Sequence, residues 1–377
     1  MNKGQLKPKP FVILLILIIV AGAAFWFFVY QPAFKKNKIQ EAISRAEKGD
    51  LRAAIPDLEK LIRARIPAKE KDEARFQLAR GYTDEADYEK AAFLWREIYE
   101  DRASSHREEA LFYLGWIAAQ QGDNEKAERL LEEYAARYPR SARGGEAQLA
   151  LARLNKIAGN IEKAREACRK VLVDFSSSPV VEDARKELGE INFQLLYSSP
   201  AGEISGEYTV KAGDSLTSIA SRFKSNPELL RKMNRMEGNL IRPGQKLRVP
   251  RHQFEVVVNK SQNTLMLIYG GEFFKMYSVG TGKEGSTPEG VFKITTRLID
   301  PPWYHGGELI PPDDPRNILG SRWMGFSDPY ADYGIHGTTE PETIGSQSSA
   351  GCIRMHNGEV KELFDLLPRG TKVTVVE

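Results

Sequence analysis

The sequence predicts a multidomain chain of four parts: an N-terminal transmembrane helix, an all-α solenoid of helical repeats, a small βααβ module and a mostly-β C-terminal domain. Three observations predict it. Phe11 to Tyr30 runs for 20 positions without a charge, the length a helix needs to cross a bilayer. Alanines recur at intervals of 36 or 37 residues between Asn37 and Tyr197, the mark of a repeat architecture. From Phe254 onward, short runs rich in Val, Ile, Tyr and Phe take over, as strands do. The length agrees, since 377 residues at roughly 150 per domain give two or three cores rather than one. With 54 Lys and Arg against 51 Asp and Glu, the formal charge is only +3, which argues against a dedicated nucleic-acid binder. Two cysteines, Cys168 and Cys352, are too few for a disulfide scaffold or a four-cysteine zinc site. A cysteine that matters here matters as a thiol.

Residues 1–36 read as a tail and anchor with the span at 11–30. The aromatic end of the run, Phe25 to Tyr30, suits the headgroup boundary. A cleaved signal peptide would carry an apolar run of ~7 to 15 residues and then a small-x-small site. Here the small cluster, Ala21 to Ala24, lies inside the run, so a retained anchor is expected. Lys3, Lys7 and Lys9 before the run and Lys35, Lys36 and Lys38 after it leave the positive-inside rule tied.

Residues 37–197 read as helical repeats. Ala54, Ala91, Ala127 and Ala164 occupy equivalent places, and the last three each follow Glu-Lys. Gly49, Gly122 and Gly159 stand five residues before three of the four, marking turns. Ala74, Ala110 and Ala147 lie 17 residues upstream of Ala91, Ala127 and Ala164, a spacing that fits two antiparallel helices and a short turn. Four helix pairs to residue 178 and a closing helix near 180–196 are expected. The period resembles the tetratricopeptide type, whose repeat is ~34 residues. Such stacks present protein-binding surfaces, which makes an envelope protein partner one expectation and a plain spacer the other. Cys168, within EKAREACRKVL, reads as a buried packing residue.

After a linker at 198–205 comes a module at 206–251. Its order is strand, turn at Ala212 to Asp214, helix from Ser215, helix from Pro227, turn at Pro243-Gly244, and strand Lys246 to Val249. Tyr208-x-Val210, Gly213-Asp214-x-Leu216, Ile219-Ala220, Asn234 and Leu240-x-x-x-Gly244-x-x-Leu247-x-Val249-Pro250 closely resemble the LysM domain, a peptidoglycan- and chitin-binding module. The resemblance implies binding of N-acetylglucosamine-containing glycan, with Gly213, Asp214, Ser215 and Leu216 and then Leu240, Ile241, Pro243 and Gly244 as candidate contacts.

Residues 253–377 form the last domain. FEVVV, TLMLIY and EFFKMYS around Gly270-Gly271 read as strands with a hairpin. Strands at Gly290 to Thr295 and Lys372 to Val376, and a helix at Glu359 to Leu367, follow. The chemical centre is HGTTEPETIGSQSSAGCIRM, His336 to Met355. A thiol becomes a nucleophile when an imidazole takes its proton, and His336 and Cys352 are candidates to converge. Gly351 leaves room beside the sulfur, and amides at Gly351 and Cys352 are candidate oxyanion donors, worth ~3 kcal/mol each in such sites. Zinc would need more ligands than His336, Cys352, His305 and His356 offer, so no metal or cofactor is expected. Glu340 and Glu342 read as solvated carboxylates.

The segment is similar to the signature of the L,D-transpeptidase (YkuD-type) catalytic domain at His336, Gly337, Thr338, Ser349, Gly351, Cys352, Ile353, Arg354 and Met355. Val279 to Gly282 and Thr287-Pro288-x-Gly290-x-Phe292 support the likeness. It implies a peptidoglycan L,D-transpeptidase forming 3-3 cross-links, or, with water, a carboxypeptidase. Cys352 would form a thioester with the stem peptide, His336 would be the base, and the Gly337 carbonyl would orient the ring. Ser349, Gly351 and Arg354 would organise the oxyanion site and loop. Many members carry His where this chain has Ala350. Such a substrate lies outside the cytoplasm and would settle the tie as N-terminus inside, with a single-pass, envelope-facing enzyme. The rival reading is a non-catalytic wall-binding scaffold.

Overall fold

The chain is described here by a computed structural model over residues 31–198 and 202–377. Among the described residues nine helices come first: α1 (Gln31–Glu47), α2 (Leu51–Arg63), α3 (Ala68–Asp84), α4 (Tyr88–Glu100), α5 (Arg107–Gln120), α6 (Asn124–Arg137), α7 (Gly144–Ile157), α8 (Ile161–Asp174) and α9 (Val181–Ser198). The βααβ module follows as β1 (Ser205–Thr209), α10 (Leu216–Arg222), α11 (Pro227–Met233) and β2 (Lys246–Pro250), and the remainder is mostly strand. The expected transmembrane helix is corrected. Among the described residues no helix is long and apolar enough to cross a membrane, and the segment 11–30 lies outside them. The first described helix, α1, carries six charged residues in 17, a composition that hydrocarbon does not admit. Among the described residues the fold therefore contains no membrane span, and single-pass anchoring has no support in it.

Two compact units divide the chain at residues 154 and 155. The reason for the recurrent alanine is packing. Ala54, Ala74, Ala91, Ala110, Ala127, Ala147, Ala164 and Ala184 are all completely buried, because only a methyl group fits where helices approach closely. Gly49, Gly122 and Gly159 take φ of +93°, +77° and +79°, the left-handed turn that closes a helix. The corresponding place before Ala91 is Ala86, which adopts φ +57° despite its Cβ. In the first unit, Trp95 is fully buried, stacks on Tyr113 at 4.7 Å and donates to Thr83 Oγ1 at 3.0 Å.

The second unit is built on an eight-stranded sheet. Its strands are β3 (Phe254–Asn259), β4 (Thr264–Tyr269), β5 (Glu272–Ser278), β7 (Gly290–Ile299), β10 (Arg322–Phe326), β11 (Gly334–His336), β13 (Ile353–Arg354) and β14 (Lys372–Val376), in the order β13-β11-β10-β7-β14-β3-β4-β5. Short pairs β6 (Thr281–Gly282) with β12 (Gln347–Ser349), and β8 (Trp303–His305) with β9 (Glu308–Ile310), lie outside it. Alternating burial along β3 and β4 gives each strand one core face. Helix α12 (Asn357–Leu366) is tied to the sheet by Glu362, which accepts from Lys275 at 2.7 Å and Tyr277 at 2.6 Å. Helix α9 covers the same edge strand, β5. Asn192, buried, donates to the Phe274 carbonyl at 2.9 Å, which occupies an edge acceptor that would otherwise invite another strand.

Candidate active site

His336 and Cys352 lie on neighbouring segments near the sheet edge, where β11 is between β10 and β13. In the parallel pairing of β11 and β13, Ile335 is opposite Ile353 and His336 opposite Arg354. One step back, the same register sets Cys352 opposite Gly334. Residues two apart on a strand share a face, so thiol and imidazole emerge on the same side of the β11–β13 pair, as diagonal neighbours. Trp323, opposite His336 on β10, lays its ring beside the imidazole at 5.8 Å.

Both groups are held neutral. His336 is 2% exposed and its pKa falls to about 4, because burial disfavours the imidazolium; the Gly337 and Leu319 carbonyls oppose this and the charge of Arg354 adds to it. The Gly337 carbonyl lies 2.6 Å from Nδ1. A carbonyl only accepts, so the proton sits on Nδ1 and Nε2 keeps its lone pair. The Cys352 thiol is pushed above its ordinary 9.0 by burial, with the Gly334 N–H pulling the other way. Its S–H points to the Asp332 carbonyl at 3.7 Å, so in the resting site the thiol proton is directed to backbone and not to His336.

The loop around the thiol is closed by Ser349, which is buried. Its Oγ donates to the Cys352 carbonyl at 2.7 Å and accepts from the Gly351 N–H at 3.0 Å. The Gly351 amide, expected at the oxyanion, is thus already engaged. Gly351 has φ +132°, and a Cβ there would come within 2.5 Å of the Tyr333 ring, which is why no side chain is tolerated beside the sulfur. Arg354 is buried and donates to Glu340 at 2.7 Å. Glu340, read from sequence as solvated, is its counter-charge. Ala350 is exposed.

Asn357, at the start of α12, carried no signal in the sequence. Its Nδ2 donates to the Thr338 carbonyl at 2.7 Å and its Oδ1 accepts from the Ser321 N–H at 3.0 Å. It thereby brackets the Gly337 peptide that holds the His336 ring. Trp303 stacks on His305 at 4.3 Å and Tyr304 is exposed, both on the β8–β9 hairpin. Among the described residues no group of three metal-ligating side chains occurs.

In the small module the two expected loops are joined by Gly244 N–H to the Val210 carbonyl and Val210 N–H to the Gln245 carbonyl, each 2.8 Å. Asp214 is engaged within the module, accepting from Tyr208 at 2.7 Å and from the Lys211 N–H at 2.8 Å. Ser215 caps α10 and Leu216 is core. Leu240 is 80% exposed, Ile241 is half-buried, and Gly213, Pro243 and Gly244 are at the surface.

Comparison with known families matches the L,D-transpeptidase catalytic domain over residues 253–375, the LysM domain over 208–250 and a tetratricopeptide repeat over 109–141. The protein named "Putative L,D-transpeptidase YqjB" of Bacillus subtilis (strain 168) is 44% identical over 126 residues, covering 32% of this chain and 70% of that one. From the same organism, "Putative L,D-transpeptidase YkuD" is 34% identical over 175 residues, covering 45% of this chain and 97% of that one. The chain belongs to the L,D-transpeptidase family. Among solved structures, an L,D-transpeptidase from Mycobacterium smegmatis aligns with a TM-score of 0.28 at 19% identity, over 36% of this chain and 64% of that chain. As a member of the family the chain is a transferase acting on peptidoglycan, with tetratricopeptide-like repeats and a LysM peptidoglycan-binding module preceding its L,D-transpeptidase domain.

Proposed function

We propose that Cys352 is the nucleophile and His336 the general base of a 3-3 cross-linking reaction on tetrapeptide stems. Sγ attacks the carbonyl of the third stem residue, an L-centred diamino acid, as its proton passes to Nε2 of His336. The C–N bond to the terminal D-Ala breaks, the leaving amine takes the proton from His336, and a thioester remains. The side-chain amine of a second stem, its proton taken by His336, then displaces the sulfur and forms the cross-link. Water in place of that amine gives a shortened stem. Gly337 sets the tautomer. The Cys352 amide and, once released from Ser349, the Gly351 amide face the oxyanion, and Ser349 and Arg354 hold the loop. Ala350, exposed and clear of these contacts, alters tuning and not the mechanism.

The observation that carries this reading is the neutral imidazole with its Nδ1 proton directed to Gly337, on the same strand face as the thiol. A base must enter the reaction unprotonated at the nitrogen that faces the nucleophile. The domain division at 37–197, 206–251 and 253–377 is part of the proposal, with Leu240, Ile241, Gly213, Pro243 and Gly244 as the glycan surface of the module. The test is incubation with disaccharide-tetrapeptide followed by mass spectrometry. Cys352→Ser is expected to abolish D-Ala release while Cys168→Ala leaves it unchanged. Undiminished release by Cys352→Ser would remove the mechanism, and free tripeptide without dimer would favour hydrolysis.

A further inference from the structure

Two adjoining cavities of about 420 and 460 Å³ lie between the LysM module and the catalytic sheet, and their charge sets them apart from a third of about 390 Å³ beside α9. The two form one groove, because they share Lys224, Gln253 and Glu255 in their walls. Arg222 and Lys224 line it from the LysM side, Arg251 from its floor, and Arg369 and Lys372 from the catalytic domain. Glu255 is the one carboxylate lining it, and Lys372 already holds that group at 2.9 Å. Five cations against one acid leave the groove with a net charge of +4. Arg222 leans toward Tyr208 and Asp214, and Arg251 donates to the Gly202 carbonyl at 2.6 Å. Lys224 and Arg369 have no ion-pair partner within 4 Å among the described residues.

The groove is preformed. One hydroxyl, that of Tyr269 on β4, donates to the Ile204 carbonyl at 2.6 Å and accepts from the N–H groups of Arg251 and His252 at 2.9 and 3.1 Å. It pins both chain segments that enter and leave the LysM module. Arg248 of β2 donates to the Leu195 and Leu196 carbonyls of α9, and Lys232 of α11 pairs with Asp365 of α12. Gly270 is required by the same junction, since a Cβ there would come within 2.8 Å of the His252 ring. Cations fixed in a concave surface lose little freedom on binding, and they focus their field on whatever enters.

We propose that this groove binds the anionic oxygens of a wall polymer, in addition to the glycan loops and the thiol site. The proposal rests on the reading that the chain works on peptidoglycan. The groove opens beside β3, β4 and β14, whereas Cys352 lies beside β11, three strands away from β14; a ligand in it therefore stays clear of the reacting atoms and positions the polymer. Its chemistry is shared by stem-peptide carboxylates and by the phosphodiesters of wall-linked anionic polymers.

The test compares full-length wild type with Lys224→Glu/Arg369→Glu in sedimentation with purified sacculi, either intact or stripped of phosphodiester polymer. The charge-reversed protein is expected to lose roughly tenfold or more in affinity, and the wild-type affinity to fall with salt, as exposed charge contacts do. Loss on stripped sacculi assigns the carboxylates; loss on intact sacculi alone assigns the phosphodiesters. The milder Lys224→Gln/Arg369→Gln should show a smaller loss, and Lys224→Arg/Arg369→Lys should bind as wild type, which separates charge from folding. D-Ala release from soluble disaccharide-tetrapeptide should be unchanged throughout, so that a failure of the groove is distinguishable from a failure of the catalytic reading. Equal binding of wild type and both charge variants on both wall preparations overturns the proposal.

Discussion

Alkylation of Cys352 across pH separates a resting pair that is neutral from one that is already thiolate and imidazolium. The perturbation is pH itself, with iodoacetamide as probe. Burial lifts the thiol above 9.0, and the Gly334 N–H only partly opposes it; at pH 7 the thiolate is then below about 1% of the population. His336, its pKa near 4, is unprotonated over the whole range from pH 5 upward and offers no imidazolium to pair with the sulfur. The rate should therefore climb about tenfold per pH unit between roughly pH 6 and 8.5, as a lone thiol does. An ion pair formed at rest would instead give a plateau starting near the lower of the two values. Cys168 is completely buried, so peptide mass spectrometry should find the label at Cys352 alone. His336→Gln should leave the profile nearly unchanged, because the imidazole is not what sets it. A rate varying by less than about twofold from pH 5.5 to 8 would refute the reasoning and show that the pair exchanges its proton before substrate arrives.

The neutral burial of His336 also predicts a stability profile. Its pKa is depressed on folding, from 6.5 to about 4, so the unfolded chain binds the extra proton first as pH falls. Stability attributable to this group is full above 6.5 and lost on the way down to 4, by ~3 kcal/mol. The difference between wild type and His336→Gln in urea midpoints at pH 7 and 4.5 should show it. Asn357→Ala removes both contacts that bracket the Gly337 peptide and should lower kcat by roughly tenfold or more with KM little changed, at ~2 kcal/mol of stability. Gly351→Ala meets the Tyr333 ring and should lose most activity in a chain that still melts cooperatively. Ala86→Gly relieves a Cβ at φ +57° and should raise the first unit's stability by ~1 kcal/mol, read as a higher Tm.

What was legible in the sequence is what side chains repeat. The repeat alanines are visible because each helix pair needs a methyl group at the same crossing, and the turn glycines because a left-handed residue is needed five positions earlier. Ala86 broke that pattern, yet its turn forms all the same. The strands β3, β4 and β5 run six or seven residues and are visible as apolar-rich runs, two of them around Gly270-Gly271. By contrast β11, β12 and β13 run two or three, too short for any period; β11 carries the imidazole, and the thiol lies between β12 and β13. The site's own partners were equally hidden. The groups nearest Sγ and the His336 ring are the Asp332, Gly337 and Leu319 carbonyls and the Gly334 N–H, and every residue has those. Only tertiary placement makes them particular.

The same limit explains why the chain is divided in space at a point that repeat counting passes over. The periodicity continues smoothly through Ala164 and Ala184, but the second unit begins at residue 155, inside the repeats. What draws the last two helices to the catalytic sheet is polar and non-periodic. Asn192 caps the Phe274 carbonyl on β5 and accepts from Arg165 at 3.0 Å, and Arg165 and Arg169 reach Glu272 at the start of β5. Phe193 meets Phe274 edge-on at 5.2 Å, and Gly189 lets Lys275 approach to where a Cβ would stand 3.1 Å from its Cγ. An exposed β5 would be an open edge beside an enzyme that works among extended peptides. The last repeat is therefore better understood as the cover of the catalytic sheet's edge than as the end of a stalk, since Gly189, Asn192 and Phe193 all serve the sheet.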